Sequence, residues 1–241
     1  MIYTRSELIV LPIALLCILI LSITSYFILK NKSEKVKNIP LAIIAILILL
    51  LEGAKQIRSA VMGTYNSWTI PLHFCSLFIF FFPLATLVPN KKIKAFGSTM
   101  SLACSLWMTV LFYFGPRTII GGSCENIFAS FYNFHTFFYH HLVILYLFTG
   151  IALNQFKISK KFYIHTLIGM TTYALIAVPA AHLLNTNYCN ILTSNIPFME
   201  TIRINYGQVL YTIFLYLAGL VGATLSCFLY RIIRKGGEIN E

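Results

Sequence analysis

Seven apolar runs, at about 8–29, 39–57, 70–88, 96–115, 134–154, 162–184 and 206–230, leave this chain few ways to fold. Each is close to the ~20 residues that a helix needs to cross a ~30 Å hydrocarbon layer. In lipid every backbone polar group must be satisfied internally, so runs of this length become helices. The second run is the least clean, because Glu52 and Lys55 fall in its last turns. The first has the length of a span and lacks a small-x-small cleavage site at its end, so it reads as a helix rather than a signal peptide. The connections reach only about twenty residues, which is too short for a soluble domain. The expected architecture is all-α: one integral membrane domain over 1–241, a seven-helix transmembrane bundle.

Charge patterning sets the expected orientation. Of 18 Lys and Arg residues, 13 fall in the segments holding Lys30–Lys37, Lys91–Lys94, Lys157–Lys161 and Arg231–Lys235. Arg5, Lys55, Arg58, Arg117 and Arg203 lie on the other side. The positive-inside rule then predicts an outside N-terminus, an inside C-terminus and a multi-pass protein of the cell membrane. The net charge of +11 is thus a topology signal. No basic stripe or nucleic-acid motif accompanies it, so nucleic acid is set aside and the expected partners are membrane lipids.

With that orientation, five of the six histidines fall in the outer half: His73, His135, His140, His141 and His182. Glu52, Lys55, Glu125, Asn185, Asn187 and Tyr188 lie at the same level. Ionisable groups are costly at such depths and usually face a protein interior or a wet cavity. Interfacial histidines and tyrosines are also ordinary membrane anchors, but here charge and imidazole converge from four spans. The expected site is an outer-half pocket that His73, His141 and His182 approach, with Cys75 at or next to its wall.

Helical geometry constrains the site. At 100° per residue His73 shares a face with Ser76, whereas His73 and Cys75 point to nearly opposite sides. Both reach one pocket only if the helix is irregular there, and Pro71 permits a loose first turn. In the fifth run Asn133, Thr136 and His140 form a polar stripe, and His141 shares its face with Phe134, Phe137, Phe138 and Ile144. The wheel favours His140, and leaves room for a buried His141 if that helix is central.

Three chemistries fit these residues. Cys75 with a histidine base would support acyl transfer, the imidazole taking the proton and the thiolate attacking an ester carbonyl. A zinc hydrolase could use three of the histidines, but there is no H-E-x-x-H and no aspartate to orient the ligands, so no resident metal or cofactor is expected. A transporter or a lipid- or small-molecule-binding protein could use the pocket without chemistry. Cys17, Cys104 and Cys227 read as apolar filler.

The segment Pro71-Leu72-His73-Phe74-Cys75-Ser76 resembles the PLHLCS segment of the YwaF-like bacterial integral membrane proteins. Phe134-x-x-Phe137-Phe138-x-x-His141 resembles their aromatic-histidine helix, and Leu184-Asn185-Thr186-Asn187-Tyr188 their LGTNY segment, with Asn185 in place of glycine. These proteins are grouped with the eukaryotic transmembrane protein 164 family, whose members look like lipid acyltransferases with a cysteine acyl intermediate. The resemblance implies Cys75 as nucleophile, His141 as base and His73 at the pocket mouth. His140, His182, Asn187, Tyr188 and Glu52 are the candidate substrate contacts. Cys124 precedes the fifth run and Cys189 follows the sixth, at outer ends that should be neighbours, so a Cys124–Cys189 disulfide is expected.

Overall fold

The computed structural model describes residues 3–122, 124–234 and 238–239. Six long helices are α1 (Arg5–Leu29), α2 (Ile39–Val61), α4 (Lys91–Phe114), α5 (Phe131–Ala152), α6 (Phe162–Leu183) and α7 (Pro197–Ile233), with a short α3 (Phe78–Thr86) between α2 and α4. The chain is an all-α polytopic membrane bundle of six helices long and apolar enough to cross a bilayer, plus one shorter apolar helix, among the described residues. The only strands described are Ile158–Ser159 and Glu238–Ile239, which pair in parallel.

Local sequence explains where the helices begin. Thr4 and Glu7 form a capping box on α1, each taking the other's backbone N–H. Asn90 Oδ1 accepts from Lys92 N and Ile93 N at the start of α4, and Ser130 Oγ from Asn133 N at the start of α5. Pro197 opens α7, where its missing N–H costs nothing.

Two helices form the centre. In α4 and α5, 72% and 67% of the most apolar 18-residue stretch is buried, against 17–28% in the other four. α1 and α2 pack on α5, α3 and α7 pack on α4, and α6 packs on both α4 and α7. Close approach rests on small residues: a Cβ added at Gly97 would come within 2.7 Å of Ala85 N, and one at Gly222 within 2.5 Å of the Trp107 ring.

Two runs depart from the expected uninterrupted spans. In the third, Phe74–Leu77 is a 3-10 turn and regular α-helix starts only at Phe78. Thirteen such residues rise ~20 Å, short of a bilayer. Pro71 offers no N–H, and Ile70 and His73 are extended (ψ 130° and 152°), so the 3-10 turn Ser67–Thr69 is cut off from the helix and the run turns helical only from Phe74. In the seventh, the helix begins nine residues earlier than expected and breaks at Gly207, whose φ of 85° suits a residue without a Cβ.

Candidate functional site

The stretch 66–77 is irregular backbone inside a membrane bundle, which is tolerated only where other elements satisfy it. They do so one group at a time. Gln56 Nε2 donates to Thr69 O at 2.7 Å, and Tyr188 Oη donates to Ser67 O. Tyr173 Oη donates to Leu72 O at 2.9 Å. Tyr139 Oη, from the central helix α5, donates to Cys75 O at 3.1 Å. Phe74 N–H donates to Cys189 Sγ at 2.6 Å. The turn that presents His73 and Cys75 is therefore held by α2, α5, α6 and the loop after α6. The irregularity that a shared pocket required at His73 and Cys75 is present.

Around this turn the polar side chains gather. Glu52 is 5% exposed and pairs with Lys55 at 2.7 Å. It also accepts from Gln56 Nε2 at 2.7 Å and lies 3.4 Å from His135 Nε2. His135 stacks on Tyr139 at 5.3 Å between centroids. His73 stacks on Trp68 at 4.9 Å and meets the edge of Tyr188 at 5.2 Å. Cys75 is half-buried, within electrostatic reach of Lys55 and Glu52. His140 is likewise within reach of His73, His135 and His141.

The imidazoles of His140 and His141 share one arrangement. Each is more than nine-tenths buried, and each places Nδ1 2.7 Å from the backbone carbonyl four residues earlier, Thr136 O and Phe137 O. A carbonyl can only accept, so Nδ1 carries the proton. Nε2 of the neutral ring is then a bare acceptor. Among the described residues neither Nε2 has a hydrogen-bond partner, and the same holds for His135 Nε2 one turn earlier. Phe112 lies 6.4 Å from His140 and 5.4 Å from His141, and Phe137 stands 4.1 Å from His141. The wheel expectation that separated the two histidines is resolved by position: α5 is central, so both faces are inside the protein. Buried polar atoms are nearly always paired, and two adjacent exceptions call for a reason.

Other sequence candidates lie elsewhere. His182 is exposed on the last turn of α6, so it does not join His73 and His141 in one cavity. Asn187 is spent on its own loop, its side chain bonded to Leu192 N, Thr193 N, Thr193 O and Thr193 Oγ1. Tyr188 is fully buried and packs on His73. The expected Cys124–Cys189 bridge is not formed. Both thiols are free, Cys124 buried beside Glu7 and Glu125, and Cys189 against Phe74 and Tyr173. Burial pushes the Cys189 thiol up to about 12 and the Cys124 thiol up to about 11.

Gln56, Tyr139 and Tyr173 were not singled out from sequence. For two of them the signal was there: Gln56 lies four residues after Glu52 and Tyr139 four after His135, each one turn along the same helix face. Among the described residues no three His, Cys or Glu side chains are grouped to hold a metal ion. An apolar groove of about 270 Å³, lined by Ile202, Tyr206, Leu210, Ile213, Phe214 and Leu217, straddles the Gly207 break and contains none of the polar cluster.

A family model described as the TMEM164 family matches residues 2–230. No curated protein and no solved structure matches the chain.

Proposed function

The chain belongs to the TMEM164 family, and on that premise we propose that it is a membrane enzyme that moves a lipid acyl group through a thioester on Cys75. Within the family we place it with the YwaF-like bacterial members, on the segments around His73, His141 and Asn187. The observation that carries the reading is the pair of buried imidazoles, His140 and His141, with unpartnered Nε2 acceptors. They lie on the helix whose Tyr139 holds the Cys75 backbone.

The chemistry balances on these groups. An imidazole Nε2 takes the Cys75 proton as Sγ attacks the ester carbonyl. The C–O bond breaks, and the imidazolium returns the proton to the departing alcohol. The acyl chain is left as a thioester, which an acceptor then attacks. Either His140 or His141 can fill the base role. In this reading His73, stacked on Trp68, lines the approach, and the Glu52–Lys55 pair adds a charged contact for the substrate beside it.

The test is to incubate the detergent-purified protein with phosphatidylcholine bearing an alkyne-tailed acyl chain, quench in acid and map peptides. A hydroxylamine-labile adduct on Cys75 is expected in the wild type and none in Cys75→Ala. If the wild type carries no adduct yet is still thermally stabilised by the lipid, the non-enzymatic binding or transport reading replaces this one.

The site opens, in this reading, to the outer leaflet of the cell membrane, with the N-terminus outside. In a background where Cys124 is replaced, Asn126→Cys should be labelled by an impermeant maleimide on whole cells and Lys91→Cys should not. The reverse pattern would invert the topology.

A further inference from the structure

We propose that Cys75 and Cys189 form a reversible disulfide that closes the site. The sequence paired Cys189 with Cys124, whereas the fold places it against the turn that carries Cys75. Cys189 Sγ sits 2.6 Å from Phe74 N, the residue just before Cys75. That nitrogen is at most ~5.3 Å from the Cys75 Cα by covalent geometry. The two thiols lie within electrostatic reach of each other, and Tyr173 Oη is hydrogen-bonded to Cys189 Sγ at 2.5 Å.

The backbone at both ends suits such a bridge. Cys75 is in a 3-10 turn that follows extended residues, and Cys189 is in a short loop, so neither is locked in a long helix. Cys189 has φ 51° and ψ 31°, the left-handed region that a residue with a Cβ rarely adopts. Asn185 and Asn190 flank it with φ 46° and 61°. Asparagine tolerates that region, but cysteine has no such preference. The loop thus holds a strained conformation that directs a thiol onto the Cys75 turn, and strain of this kind gathers at functional sites.

The step needs an oxidant, and a peroxide supplies it. Two S–H bonds break, one S–S bond forms, and the peroxide O–O bond is reduced to two waters. A dithiol reverses it by exchange. On the orientation expected from the basic clusters, both cysteines lie on the outer side, where oxidants reach thiols and disulfides persist. Burial holds Cys189 protonated at neutral pH, so bridging is slow there. Its rate should rise roughly tenfold per pH unit as the thiolate fraction grows.

The proposal shares Cys75 with the acyl-transfer reading, so its test has a readout independent of activity. Wild type in native membranes is treated with hydrogen peroxide at pH 7 and pH 8.5, alkylated and digested without reductant. A Cys75–Cys189 cross-linked peptide is expected, more at the higher pH, removed by dithiothreitol, absent in Cys189→Ser and unchanged in Cys124→Ser. Separate alkylation of Cys75 and Cys189 after oxidation, or their pairing with other cysteines, overturns the bridge. A cross-link in a protein that never gains an acyl adduct leaves the bridge standing and removes the acyl-enzyme. An adduct without a cross-link does the reverse.

Discussion

Replacing His140 with phenylalanine should leave the bundle at least as stable and, if His140 rather than His141 is the base, slow acylation of Cys75 by ~10²–10⁴-fold, the usual contribution of a positioned general base. The two halves of this expectation have separate physical causes. His140 is buried, and its Nε2 has no partner, so the folded protein carries an unsatisfied acceptor that phenylalanine removes. The Nδ1 bond that is lost goes to Thr136 O, which lies inside α5 and can still accept the helical N–H of residue 140. Phenylalanine keeps a flat ring, so Phe112 and Tyr139 keep an aromatic neighbour, and its extra volume offsets part of the gain. Thermal unfolding in detergent and the rate of adduct formation measure the two effects. His141→Phe, made alongside, tells which imidazole takes the proton, because only that variant should slow. A drop of several degrees with an unchanged rate would make His140 a packing residue and remove it from the mechanism.

Lys55→Met should be strongly destabilising, by ~3–5 kcal/mol, the range seen when one partner of a buried ion pair is removed. Glu52 and Lys55 meet at 2.7 Å with side chains 7% and 15% exposed, so neither is well solvated. Taking away the ammonium leaves a buried carboxylate hydrogen-bonded by the neutral Gln56 amide, with His135 Nε2 3.4 Å away. The double variant Glu52→Gln with Lys55→Met should regain most of the loss, because an amide at position 52 has no charge to strand. Thermal unfolding of the wild type, the two single variants and the double variant closes the cycle. If the losses simply add, the pair is not coupled and the polar wall beside Cys75 is held by other contacts.

Sequence alone determined that this chain is a membrane bundle, because backbone polar groups in hydrocarbon leave helices as the outcome for apolar runs of about 20 residues. The apolar runs placed the helices roughly, and their starts are local chemistry that the runs did not read, in caps such as Thr4, Asn90 and Ser130. The disruption at Pro71 was legible as a possibility, because proline restricts the residue before it whatever surrounds it. The fate of that disruption was decided by tertiary structure: Tyr139, Tyr173, Tyr188 and Gln56 catch the loosened backbone from three helices and a loop.

Hydropathy and charge read depth along the membrane normal, and on depth alone His73, His140, His141 and His182 are expected at one level. Rotation about the normal is a property of packing. Lipid is as apolar as leucine, so a face turned to lipid and a face turned to protein read alike in the sequence. That is why the central place of α4 and α5, which buries His140 and His141 together, was not legible. His182 faces outward for the same reason, and Cys189 meets Phe74 rather than Cys124 because contact depends on which helices are neighbours.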